Sequence, residues 1–188
     1  MKKRQLAVFV MAAILASGAG LAHGEDVSVE LKKTGAAEKA AEITNLRSSL
    51  ARTFIKTGTV VTEETFKSVC GAVGKMVKEI SEKEGVAIRH ASVKNRNPAN
   101  APTATELELI NWFEAEPWRK ELGGETLVDG KRSFRYTSAI YVEEACLSCH
   151  GAKEKRPPFI AAKYPNDKAY DFKTGDLRGI ISILTPLD

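Results

Sequence analysis

A chain of 188 residues, 43% hydrophobic and 28% charged, has room for one well-buried domain and not comfortably for two. Its formal charge of +4 includes Lys2, Lys3 and Arg4 at the very start. Without them the chain is near neutral and has no long basic patch, which argues against nucleic acid as a partner.

Residues 1–24 read as a secretory signal: a basic start, an apolar run over 6–15, then small residues over 16–20. Cleavage is expected after Ala22 or Gly24. The apolar run is shorter than the ~20 residues that cross a bilayer, so no membrane span is expected after processing. No cysteine lies in the segment to carry a lipid. The expectation is therefore a periplasmic protein with a single domain over 25–188.

Ile43, Leu46, Leu50 and Phe54 recur at spacings of three and four, which predicts a helix over 36–57 with Gly58 as its C-terminal cap. A second helix is expected over 63–84, capped by Thr62, opened by Glu63 and Glu64, and closed by Gly85. Phe66, Val69, Cys70, Val73, Val77 and Ile80 share its inward face. Cys70 is then either a small buried hydrophobe, a common state for a free cysteine, or a ligand. Residues 86–93 are rich in β-branched side chains and predict a strand, in which Arg89 and His90 face opposite ways. His90 is open to three readings: a distal ligand, a distal hydrogen-bond donor, or a half-exposed strand residue.

A proline-punctuated polar loop follows over 94–102. Thr103 or Thr105 then opens a helix, with Glu106 or Glu108 completing a capping box, and it stops near Glu116-Pro117. Gly123-Gly124 is expected to break the chain. Strands over 125–128 and 131–138, joined by Asp129-Gly130, form a predicted hairpin, because a type I′ turn needs positive φ at both central positions. Residues 139–142 lead on to Cys146-Leu147-Ser148-Cys149-His150.

Two cysteines three apart with histidine next is the attachment signature of a c-type haem. Each thiol adds to a vinyl group on one edge of the porphyrin, so the sulfurs must lie close together. The following imidazole can then bind the iron. Three other readings of these residues are a dithiol redox pair, a structural disulfide, and a zinc site built from Cys146, Cys149, Cys70 and His90 or His150. The dithiol normally opens a helix after a strand, a disulfide is strained across so short a loop, and the export signal favours haem. Pro157-Pro158 and the polar run 164–176 are expected to form a long loop that wraps the cofactor. Residues 179–185 predict a final buried strand.

Several ordered motifs over about residues 35–185 resemble a family of exported c-type haem domains. They are Val69-Cys70 in a helix, Ser92 with Arg96-Asn97-Pro98-Ala99-Asn100, the Cys-x-x-Cys-His with Gly151, Tyr164-Pro165, and Gly175-Asp176-Leu177-Arg178-Gly179. The resemblance implies an α+β, PAS-like fold: an antiparallel sheet with N-terminal helices packed against it and a haem-wrapping C-terminal loop. It implies one haem c carried by Cys146 and Cys149, with His150 as one axial ligand and Cys70 as the other. Departures from the family pattern are Asp171 and Phe172, where members often show glycine and tyrosine, and His90, where arginine is usual. Arg96 and Arg178 are candidate partners for the haem propionates; the alternative is that both are ordinary surface arginines.

A thiolate ligand stabilises ferric iron, so the expected function is a low-potential one-electron carrier or redox-responsive protein. Its partner would be a redox protein in the periplasm. The alternative is a haem-based redox or gas (NO or CO) sensor that signals to a separate partner. No set of acid, base and nucleophile points to an enzyme.

Overall fold

The structure is a computed structural model. It describes residues 22–56 and 58–188, with side chains described from Val27 onward. The expected export segment lies outside these residues but for its last three. Among the described residues, no helix is long and apolar enough to cross a membrane.

The first helix, α1 (Ala22–Phe54), begins well before residue 36. Its N-terminal half is rich in alanine, glutamate and lysine, all good helix formers, and Ala36 and Ala40 let it approach the sheet closely. Ala36, Ala40 and Ile43 are buried in the main core, with Leu46 and Leu50 packed on its edge. Phe54 does not follow the pattern and stays 45% exposed, because it is the helix's last residue.

The second helical stretch runs in three parts: α2 (Glu63–Phe66), a π-helical turn (Lys67–Gly71) and α3 (Ala72–Glu84). Thr62 caps it, its hydroxyl accepting from Thr65 N–H. Gly85 ends it at φ 64°, as a left-handed cap requires. The π turn is absent from the sequence expectation. There the Ala72 N–H donates to the Lys67 carbonyl five residues back. An inserted residue of this kind re-aims its neighbours, and such bulges gather at functional sites.

Strand β1 (Ala87–Ala91), helix α4 (Ala104–Ala115), β2 (Glu121–Val128), β3 (Lys131–Tyr141) and β4 (Leu177–Pro186) complete the frame. The four strands form one antiparallel sheet in the order β1-β4-β3-β2. This is the α+β, PAS-like arrangement expected of the chain. Its central strand carries Ile180, Ile181 and Ile183, all at 0% exposure. Each contributes about 1.5–3 kcal/mol when withdrawn from water. Thr103 caps α4 through a capping box with Glu106, which is itself buried and paired with Arg89 at 3.0 Å. The Asp129-Gly130 turn has φ of 51° and 77°, the type I′ signs.

Gly123-Gly124 does not break the chain, contrary to expectation. Both residues pair within β2, Gly123 opposite Tyr136 and Gly124 opposite Arg135. A Cβ on Gly123 would lie 2.7 Å from the Phe134 ring, so the missing side chain makes room for an aromatic on β3. The second departure is α6 (Pro158–Lys163), a short helix where an irregular loop was expected. Proline suits a first helical turn, where its missing N–H costs nothing.

Asp171, a departure from the resembled family's glycine, sits at φ 56°. Aspartate tolerates this region, and its carboxylate accepts from the Lys153 N–H at 3.1 Å. Asp171→Val should therefore cost about 1–3 kcal/mol of unfolding free energy, since a β-branched residue is strained there. Asp171→Gly should cost under about 1 kcal/mol, strain relief offsetting the lost hydrogen bond. Urea unfolding of the two variants checks the order.

Candidate functional site

A cavity of about 740 Å³ lies between α1, the π turn, the inner face of the sheet and the segment 143–150. Its volume falls within the roughly 300–1,000 Å³ of small-molecule and cofactor sites. Cys70, His90, Arg96, Cys146, Cys149, His150 and Arg178 all line it. Residues drawn from five separate stretches of sequence thus meet in one place.

The short helix α5 (Leu147–His150) holds the two cysteines and the histidine. It ends because Gly151 turns away so tightly that a Cβ there would lie 2.7 Å from the Leu147 carbonyl oxygen. The segment after α6 straps this helix from behind. Asp171 N–H donates to the Gly151 carbonyl (2.8 Å) and Phe172 N–H to the His150 carbonyl (3.1 Å). The C-terminal loop therefore wraps the histidine side of the cavity. His150 Nδ1 lies 2.8 Å from the Ala169 carbonyl oxygen. A carbonyl can only accept, so Nδ1 carries the proton and Nε2 keeps its lone pair for an electrophile, the usual arrangement behind a metal-bound histidine. Burial, with Arg178 and Arg96 nearby, holds the imidazole well below its ordinary pKa and hence neutral.

Arg96 is the clamp on this arrangement, and it is buried. One of its Nη atoms donates to the carbonyls of Cys149 (2.6 Å) and Ala169 (3.3 Å), and Nε pairs with Asp167 at 3.3 Å. Asp167 also accepts from Arg156 (2.8 Å) and the Ala169 N–H (2.8 Å). Burial alone would raise the Asp167 carboxyl. The Ala169 N–H, Arg156 and Arg96 outweigh it and hold the group ionised.

Cys70 comes from the π turn, between buried Val69 and Val73. Its accessible surface opens on the cavity it lines. Burial pushes its thiol pKa up, against the opposing pull of the Arg96 and Arg47 guanidinium groups. Burial likewise raises the Cys146 and Cys149 thiols, the latter to about 11. All three cysteines are free thiols, so the disulfide reading of the Cys-x-x-Cys pair is not realised. Among the described residues, no three His, Cys, Asp or Glu side chains converge as a zinc site needs.

His90 faces the cavity, and Arg89 faces the other side of the sheet toward Glu106. Arg47 Nη2 approaches His90 Nε2 to 2.6 Å. A guanidinium always donates, so Nε2 accepts and the proton sits on Nδ1. Both ring nitrogens are then unavailable as metal ligands in this arrangement. Burial, followed by the charges of Arg47 and Arg178, lowers the His90 pKa to about 3.

Arg178 donates from Nη1 to Ser92 Oγ (2.7 Å) and the Lys94 carbonyl (3.1 Å). Its guanidinium lies 5.3 Å from the Phe172 ring centroid. Burial, with Arg96 adding to it, lowers its pKa to about 10. Neither Arg96 nor Arg178 is an ordinary surface arginine. Arg47 escaped the sequence reading, although one signal was present. It stands four residues after Ile43, and so on the buried face of α1.

The family model described as Tll0287-like matches residues 29–186. The chain belongs to the Tll0287-like family. A solved structure described as the cyanobacterial heme-protein Tll0287 is 38% identical, with a TM-score of 0.72. The match covers 84% of this chain and 94% of that one. No curated protein matches. The Tll0287-like match spans the whole cavity wall, from α1 to β4.

Proposed function

We propose that this chain is an exported haem protein that carries one haem c and passes single electrons to a redox partner in the periplasm. Cys146 and Cys149 would hold the porphyrin covalently, His150 would be one axial ligand and Cys70 the other. The observation that carries this reading is the meeting of Cys70 and the Cys-x-x-Cys-His helix on one cavity, with His150 Nε2 left open by the Ala169 carbonyl. The haem protein Tll0287, related over nearly its full length, supports it.

The residues present fit such a group. Haem has an apolar body, and Val69, Val73, Val77, Ile88 and Ile140 line the cavity. It carries carboxylates, and two buried guanidinium atoms, Arg47 Nη1 and Arg178 Nε, have no hydrogen-bond partner among the described residues. An orphaned charged donor costs more than the ~1–3 kcal/mol of a neutral one, so an entering anion is favoured. Bound there, haem would supply a one-electron iron couple.

The chain's own residues then do four things. Ala169 and Arg96 fix the imidazole ring; the π turn presents the sulfur; the apolar wall limits water; and the arginines balance negative charge. With Cys70 and His150 both on the iron, no position would be left for a substrate, so the role we infer is electron transfer rather than catalysis.

Electronic and EPR spectra of the mature protein and two variants test the ligand set. The ferric protein should give a low-spin thiolate signal that Cys70→Ala abolishes and His90→Ala preserves. A signal that survives Cys70→Ala and disappears in His90→Ala would place histidine on the iron. Uptake of CO by the reduced protein, with a changed oligomeric state, would favour the gas-sensor reading over the carrier.

A further inference from the structure

Besides Arg89, which turns away to Glu106, four arginines, Arg47, Arg96, Arg156 and Arg178, stand in or behind the cavity wall, and Asp167 pairs with only two of them, Arg96 and Arg156. Of the remaining two, Arg178 is held by Ser92 Oγ and the Lys94 carbonyl. Arg47 has one polar partner, the neutral ring of His90. Its Nη1 is buried with no partner among the described residues. A long cationic side chain in the middle of α1, otherwise unbalanced, is costly unless something negative joins it.

We propose that Arg47, positioned by His90, is an anion-binding residue of the cavity that takes a negatively charged atom of the haem centre on its free Nη1 and so favours the reduced iron. This rests on the haem reading above. Two anions could supply that atom, a propionate carboxylate or the Cys70 thiolate, and both accept hydrogen bonds from a guanidinium. The sign follows from charge. Reduction adds one electron to the site, and a buried cation stabilises the added charge. Arg47 thus opposes the thiolate, which favours ferric iron.

His90 has a specific part in this. Its Nε2 accepts from one Nη atom and leaves the other, buried in the wall to which Arg47 belongs, without a partner among the described residues. The structure assigns His90 as a positioning residue and not a ligand.

The test compares midpoint potentials of holoprotein by spectroelectrochemistry, with the Soret band and intact mass recorded first. Arg47→Gln should keep the covalent haem and lower the potential. At a fixed applied potential the ferrous-to-ferric ratio should fall about tenfold, which corresponds to about 59 mV for one electron. His90→Leu should lower it in the same direction by less, and His90→Gln, which keeps an acceptor, should restore it. Repeating Arg47→Gln in the Cys70→Ala background separates the two anions. A shift that persists identifies the carboxylate; one that vanishes identifies the thiolate. An unchanged potential in both backgrounds, with haem content intact, overturns the proposal and leaves the haem reading standing. A wild-type protein with no covalent haem would instead sink the haem reading itself.

Discussion

Changing Cys146 and Cys149 together to serine is expected to yield a chain with the mass of bare polypeptide, from which acidified organic solvent removes any haem. Each thiol forms one thioether in the proposed attachment, so each single variant should keep a covalent adduct through the remaining sulfur. The wild-type chain, exported in a host able to mature c-type cytochromes, should carry the mass of one haem. The serine hydroxyl is a far weaker nucleophile than the thiolate, which is why the double change removes the tether completely. His150 and its Ala169 partner are untouched, so a loosely held haem can still give a Soret band while the mass changes. Mass spectrometry under denaturing conditions separates the two states. An unchanged covalent adduct in the double variant would mean that some other side chain carries the group.

Gly179→Ala should be the most destabilising single substitution in the sheet. Gly179 lies at φ +150°, and a Cβ there would stand 2.3 Å from the Ala91 carbonyl oxygen and 2.9 Å from Ser92 Cβ. The backbone strain alone costs about 1–3 kcal/mol. The clash adds to it by prising β1 from β4 at the end where Ala91 pairs with Ile180. A total on the order of 3–5 kcal/mol is a large part of the ~5–15 kcal/mol margin of an ordinary domain. The same displacement would move Arg178, whose carbonyl accepts from Ser92 Oγ at 2.7 Å. Denaturant unfolding should show an early midpoint, and the holoprotein should lose its ligand spectrum in parallel. An unfolding free energy within about 0.5 kcal/mol of wild type would show that the strands can part there at little cost.

Much of the frame was legible because local chemistry and tertiary structure agree. Thr62, Gly85, the Thr103–Glu106 box and the Asp129-Gly130 turn are all solved within a few residues, so sequence alone reveals them. The opposite facings of Arg89 and His90 follow from strand alternation. Other features depend on partners far away in the chain. Gly123-Gly124 reads as a break until Phe134 is known to cover it. The π turn leaves no periodic trace, since one inserted residue shifts the pattern by less than the scatter of a short helix. Arg47 has one sequence cue, its place four residues after Ile43, but only the cavity reveals what it faces. For the site, the cysteine–histidine motif stood out by spacing. The carbonyl that orients His150 could not, because backbone atoms carry no sequence signature.

The sheet order carries a consequence for how the molecule is made. β4 is last in the sequence but lies between β1 and β3, where it pairs with both. Until the C-terminal twelve residues arrive, β1 has no strand beside it and Arg178 and Gly179 are not in place on the wall. Such long-range pairing is slow to form. Cys146 and Cys149 therefore belong to a chamber that lacks one side until β4, the last strand of the sequence, has taken its place between β1 and β3.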